Sequence, residues 1–184
     1  MSGISERIKN RLKIRNHSRS LLAYMAGLID GEGCYSISFS RPRKLNHSTH
    51  VYCSLSISGT NQELAQWLLL HAGGNVTWTH KASPKLKDSF RWRVFGPSAF
   101  RLSEMVLPFL VVKKPQALVF KAWTEAVKIL SLEQKTGHWR GTKLPQEAIE
   151  KRFEFKRQLH VLNKKGKKVP QSSVAQLETS NLAG

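Results

Sequence analysis

The stretch that decides the fold is Leu21-Leu-Ala-Tyr-Met-Ala-Gly-Leu-Ile-Asp-Gly-Glu-Gly-Cys-Tyr-Ser-Ile-Ser-Phe-Ser40. Its first half is apolar on nearly every side, with Leu21, Leu22, Tyr24, Met25, Leu28 and Ile29 around the helical wheel. A helix that is greasy all round is covered all round. Ala23, Gly27 and Gly31 fall four apart, a line of small side chains along which another backbone can approach closely. Ser18 or Ser20 can cap this helix, and Gly31 and Gly33 are expected to stop it. The second half changes period from 3.6 to 2: Tyr35, Ile37 and Phe39 alternate with Ser36, Ser38 and Ser40, the signature of a strand with one buried face.

Working outward, His50–Ser58 alternates again, and the polar, charged RPRKLNHST between the two runs makes them a hairpin. Thr60 or Asn61 can cap a second helix whose apolar face reads Leu64, Trp67, Leu68 and His71, ended by Gly73-Gly74. Asn75–Thr79 and Ser89–Phe95 read as third and fourth strands. A short helix to about Val106 follows Gly96-Pro97-Ser98. Pro115 sits in the first turn of a longer helix with the stripe Ala117, Phe120, Trp123, Val127, Leu130. A last helix, about Gln146 to Asn163, has its seam at Phe155, Leu159 and Leu162. The order is αββαββα with helical additions, an α+β fold: a four-stranded antiparallel sheet with helices on one face. Residues 1–17 read as a flexible basic arm, 18–130 as the main domain, 131–163 as a C-terminal helical extension and 164–184 as a disordered tail.

The 184 residues carry 30 Lys+Arg against 12 Asp+Glu, a net charge of +18. The tails do not account for it. Residues 1–19 hold six basic groups and one acid, and residues 164–170 hold four lysines, so most of the excess lies in the middle. Such a surplus suits a polyanion. The longest apolar run, Leu21–Ile29, is nine residues, about half a bilayer span, so no membrane partner is expected. The start has no apolar run of the kind a secretory signal needs. Two cysteines, Cys34 and Cys53, exclude a disulfide framework and a four-cysteine zinc site. The seven histidines do not fall at ligand spacing.

The strands tell more when sorted by face. Val51, Cys53, Leu55 and Ile57 oppose His50, Tyr52, Ser54, Ser56 and Ser58. Val76 and Trp78 oppose Asn75, Thr77 and Thr79. Phe90, Trp92 and Val94 oppose Arg91 and Arg93. With Ser36, Ser38 and Ser40 these make a polar face that contains no Asp or Glu. A merely solvated face mixes signs. Hydroxyls, amide, imidazole and guanidinium without acids suit phosphates and base edges, and a β-ribbon fits the major groove of double-stranded DNA. The loop residues Arg41, Arg43 and Lys81, with Lys114, extend the same candidate DNA-binding set. A strand of about seven residues spans roughly 23 Å, about seven base pairs at roughly 3.4 Å each.

Tyr24-Met25-Ala26-Gly27-Leu28-Ile29-Asp30-Gly31-Glu32-Gly33 resembles the signature of the LAGLIDADG homing endonucleases, followed as in that family by a serine-alternating strand. The αββαββα order agrees, and the resemblance spans residues 18–130. The segment from His138 to Gly166 also looks like the C-terminal extension of bacterial, phage or organellar members. One motif per chain, with the Ala23, Gly27, Gly31 stripe needing a cover, implies a two-fold homodimer with the motif helices at its axis. Glu32 then meets its symmetry mate, and two carboxylates brought together call for a bridging cation. Hard dications take oxygen ligands, so Mg²⁺, or another such as Mn²⁺, is expected. The resemblance gives Glu32 the catalytic acid role and adds the Gly31 carbonyl as a metal ligand. An acid at a helix C-terminus opposes the macrodipole, so Glu32 is not there for the helix. Asp30 is expected to be structural. Aligned on Pro108-Phe109-Leu110, Lys113 stands where family members carry a basic residue near the scissile phosphate, there to stabilise transition-state charge. After the second strand, where the family often carries a Gln, this chain has Gly59, with Ser58 and Gln62 nearby. The implied activity is metal-dependent cleavage of a long pseudo-palindromic DNA site by an intron-encoded or free-standing mobile element in a bacterial cytoplasm, chloroplast or mitochondrion. The alternative is a non-cleaving intron maturase or DNA-binding protein that kept the fold. A basic structural RNA-binding protein would leave the motif unexplained.

Overall fold

A computed structural model describes residues 18–39, 51–79, 87–135 and 146–164. The expected basic arm, Ser40, Arg41, Arg43, His50, Lys81 and the tail beyond Lys164 lie outside the described residues. In chain order the elements are α1 (Arg19–Glu32), β1 (Gly33–Phe39), β2 (Val51–Gly59), α2 (Gln62–Ala72), β3 (Asn75–Thr79), β4 (Ser89–Phe95), α3 (Gly96–Val106), a 3₁₀ turn (Leu107–Phe109), α4 (Lys114–Lys135) and α5 (Gln146–Leu162). The four strands form one sheet in the order β1-β2-β4-β3. β4 is antiparallel to both of its neighbours. The α+β architecture expected from the period changes is the observed one.

The chain divides into two compact units. The first holds the segment ending at Cys34 and Ser54–Lys113. Its α1 is capped by Ser18, whose Oγ accepts the Leu21 N–H at 3.3 Å. α2 is capped by Asn61, whose Oδ1 accepts the Leu64 N–H at 2.8 Å. The core gathers Met25, Ala26 and Ile29 of α1, Leu55 and Ile57 of β2, Phe90, Trp92 and Val94 of β4, and Ala99, Leu102 and Val106 of α3. Trp92 is fully buried and donates its Nε1–H to the Gly73 carbonyl at 2.7 Å. Gly73 and Gly74 reverse the chain with φ of 66° and 81°, a region that favours glycine.

Three expectations need correction here. α1 does not stop at Gly31 but runs to Glu32, and Gly33 ends it in extended conformation (φ −74°, ψ 149°). Gly33 is required by proximity: a Cβ there would lie 2.4 Å from the Ile29 carbonyl oxygen. The buried face of α2 is Ala65, Leu68 and Ala72. Leu64, Trp67 and His71 are only half-buried, because small alanines let that face approach the sheet. Trp78, expected on the covered side of β3, is 39% exposed. It sits on an edge strand paired only with β4 and leans on Phe90, 5.7 Å between ring centroids.

The second unit holds Tyr35–Cys53 and the chain from Lys114 onward. Tyr35 meets Phe120 of α4 edge-on at 4.9 Å. Phe39 stacks on Phe153 of α5 at 4.1 Å and 2°. Asn163 Nδ2 donates to the Tyr35 carbonyl at 2.9 Å, and Gln116 Nε2 donates to that of Leu162 at 3.1 Å. The expected α5 seam holds: Leu159 is buried, with Phe155 and Leu162 half-buried. Burial pushes the Cys53 thiol up to about 12, against a smaller opposing pull from Arg152. The same burial lowers the Arg152 guanidinium, which lies over the Trp123 ring at 6.0 Å.

Candidate DNA interface and acidic helix end

The polar face of the sheet is built by register. In the first unit Ser56 pairs with Arg93 and Arg93 with Asn75, giving one row across β2, β4 and β3. The next row is Ser58, Arg91 and Thr77, and the third begins with Ser89 and Thr79. Rows repeat every two residues along a strand, about 6.6 Å, and strands lie about 4.8 Å apart. The result is a lattice of hydroxyl, amide and guanidinium groups with no acid among its described members. Asn75, Thr77, Thr79 and Arg91 are exposed, and Ser56, Ser58 and Arg93 half-buried. Ser54 has the right parity but is buried. In the second unit Ser36 and Ser38 share the polar parity of β1, their hydroxyls 3.3 Å apart, and Tyr52 is exposed.

Two members of this face were not singled out from the sequence. Ser89 completes the third row. Phe95, opposite Ser54, is 39% exposed on the same side as the arginines, and the Arg93 guanidinium lies over its ring at 5.5 Å. Counting by twos from Arg91 reaches both, so parity was the available signal. A hollow of about 190 Å³ lined by Ser58, Thr77, Thr79, Ser89, Phe90 and Arg91 is shallower than a small-molecule site demands.

At the end of α1 the two acids of the motif have different fates. Asp30 accepts three backbone N–H groups: Val111 on Oδ2 at 2.8 Å, and Val112 and Lys113 on Oδ1 at 3.1 and 2.7 Å. The expected structural role is the observed one. Glu32 is exposed in the last turn, as is Gly31. The last carbonyls of a helix lack intrahelical partners and carry the negative end of its dipole, so this tip attracts cations. Among the described residues no three His, Cys, Asp or Glu side chains come together as a metal cage. The donors at the tip are oxygens, which suits Mg²⁺ or Mn²⁺, but one chain brings a single open carboxylate. Such a cation fits here only with ligands from outside the chain.

The small-residue stripe faces outward. Ala23, Gly27 and Gly31 are exposed, and among the described residues a Cβ added at either glycine meets nothing within 4 Å. Gly59 differs. A Cβ there would lie 2.9 Å from the Phe90 ring, so the ring occupies the space a longer residue would need. Ser58 lines the hollow beside it, and Gln62 is exposed in the first turn of α2. Lys113 is half-buried and Lys114, the first residue of α4, exposed.

No family model and no curated protein matches the sequence. Solved structures do match. The archaeal intron-encoded homing endonuclease I-Vdi141I, complexed with DNA, is 18% identical with a TM-score of 0.59, over 89% of this chain and 98% of that one. The homing endonuclease I-CvuI, in complex with the I-CreI target, is 18% identical with a TM-score of 0.55, over 88% and 94%. The LAGLIDADG homing endonuclease I-LtrWI, bound to its target DNA, is 17% identical with a TM-score of 0.52, over 85% of this chain and 51% of that one. This chain has the fold of the LAGLIDADG homing endonucleases.

Proposed function

We propose that this protein is a site-specific double-strand DNA endonuclease that works as a homodimer, cutting a long pseudo-palindromic target with a divalent cation. The observation that carries the reading is the register-matched, acid-free face of Arg91 and Arg93 between hydroxyl and amide rows, in a chain of net charge +18. The arginines and their neighbours hydrogen-bond base edges and phosphates in the major groove. The three similar structures named above are DNA complexes in the same fold, which supports the substrate class.

The dimer follows from cost. A glycine inside a helix destabilises it by about 1 kcal/mol relative to alanine, and Gly27 and Gly31 have open space beside them among the described residues. A second copy against the stripe supplies the reason that the described residues do not. It also brings a second Glu32, the carboxylate that the oxygen-donor site lacks. A divalent cation there supplies water activation and neutralises charge at the leaving oxygen. Glu32 and the Gly31 carbonyl hold it, Lys113 places positive charge against the phosphate as it reacts, and the sheet keeps the duplex in place. The target places this activity where DNA is found, in a bacterial cytoplasm or an organelle. No described helix is long and apolar enough to cross a membrane.

The test uses the target reconstructed by joining the DNA that flanks the gene. Glu32→Gln is expected to bind that site as the wild type does and to cut it at least 10³-fold more slowly in Mg²⁺. Cleavage by the Gln variant at the wild-type rate removes the metal assignment. The second reading, a DNA- or RNA-binding protein that kept the fold, is favoured by the Phe90 ring filling the place beside Gly59, where the family often carries a Gln. Binding of the wild type without cleavage in Mg²⁺ or Mn²⁺ would choose it.

A further inference from the structure

We infer that Asp30 is a positioning residue for Lys113, and that it sets the lysine in register with Glu32 by holding the backbone from which the lysine projects. The inference rests on the role proposed above for Lys113.

Three observations carry it. Both oxygens of the Asp30 carboxylate are used, and all three donors are consecutive amides, Val111, Val112 and Lys113, at 2.7–3.1 Å. Charge-assisted bonds of this kind are the stronger class, and here they reach across more than 80 residues of chain. Among the described residues, the segment so held has little apolar anchoring. Leu110 is buried, but Val111 is 82% exposed and Val112 65%. Two apolar side chains mostly open to solvent contribute little burial, so the backbone hydrogen bonds carry much of the hold on this segment. Lastly, Asp30 and Glu32 share the final turn of α1. A clamp fixed to that turn gives the lysine backbone and the exposed acid one common reference. Were Asp30 only a stabiliser of the fold, nothing would require its reach to end on the residue that brings the cation.

Asp30→Asn is the informative variant. Its one carbonyl oxygen can still accept from Val112 and Lys113, while its NH₂ group faces the Val111 N–H, donor against donor. The fold is checked by thermal unfolding and site affinity by titration with the reconstructed target. Single-turnover cleavage at saturating DNA is then compared for wild type, Asp30→Asn, Lys113→Ala and the double variant. Expected are a loss of about 10²-fold for Lys113→Ala, about 10-fold for Asp30→Asn, unchanged affinity for both, and a double variant no slower than Lys113→Ala alone. Losses that multiply in the double variant overturn the inference, as does an Asp30→Asn enzyme at the full rate. A full-rate Lys113→Ala removes the lysine's proposed role and the inference with it, while leaving Glu32 and the sheet untouched. A second measurement is independent of cleavage. By hydrogen exchange, the amides of Val111, Val112 and Lys113 are expected to be protected in the wild type and at least 10-fold faster in Asp30→Asn. Unprotected wild-type amides overturn the inference even if the enzyme cuts.

Discussion

Gly27→Ala should have opposite signs in a lone chain and in a dimer. Among the described residues a Cβ at Gly27 meets nothing within 4 Å, and the position lies inside α1, Arg19–Glu32. In a lone chain the substitution therefore gains only helix propensity, about 0.8–1 kcal/mol. For a chain of this size that raises the melting temperature by about 2–4 °C. In the proposed dimer the added methyl enters a seam where two backbones meet, and does so on both chains. Overpacking of a tight contact costs about 1–3 kcal/mol for each methyl, about 2–6 kcal/mol for the two, which is a roughly 30- to 10⁴-fold weaker dimer. The assay is sedimentation over a concentration series with thermal unfolding at both ends of it. Dissociation should shift to higher concentration, with a melting temperature lowered where the wild type is dimeric and raised where it is monomeric. Gly27→Leu should give monomer throughout. A Gly27→Ala protein that is more stable at every concentration and sediments as the wild type does would refute the seam, and the shared Glu32 site with it.

Arg91→Ala or Arg93→Ala should relax sequence preference in site selection from a randomised library, since a base contact discriminates by about 1–3 kcal/mol; alanine at Lys9 or Lys13 should weaken all DNA alike and flatten the salt dependence. An unchanged base profile for both arginine variants would move them to the phosphate backbone. Cys53, raised from 9.0 to about 12 by burial, keeps its proton in the folded state over a range where the unfolded chain releases it. Its contribution is whole below pH 9 and is lost towards pH 12, at about 1.4 kcal/mol per pH unit. Denaturant titrations of wild type and Cys53→Ala should diverge with that slope, and parallel curves would discard the assignment.

What was legible in the sequence is what periodicity and caps encode. β3 and β4 have the expected bounds, and α1 and α2 start after Ser18 and Asn61. The face of α2 was misjudged because apolar pattern weighs large residues. Ala65 and Ala72 are buried because they are small, and Trp67 instead meets Tyr24 edge-on at 4.9 Å. Glycine alone did not announce its purpose either. Among the described residues, Gly33 and Gly59 answer to contacts, with Ile29 and Phe90, while Gly27 and Gly31 do not. The Asp30 clamp was beyond spacing rules, since its partners lie more than 80 residues away. Phe95 was within reach, two positions beyond Arg93 on one strand face.

Two carboxylates of one motif, a single glycine apart, are told apart by hydrogen-bond accounting. Asp30 has both oxygens engaged by three amides, so giving an oxygen to a cation means breaking at least one charge-assisted bond and leaving an amide unpaired. Glu32 is exposed at the negative end of its helix, an end that favours cations over anions. An anion in an adverse field gains more from a cation than one already satisfied. That difference, and not the order of letters in the motif, is the physical ground for proposing Glu32, rather than the Asp30 of the backbone clamp, as the cation ligand. It also explains why the two acids can stand so close without competing: one is committed to backbone bonds that end on Lys113, and the other is left open, as the proposed cation site requires.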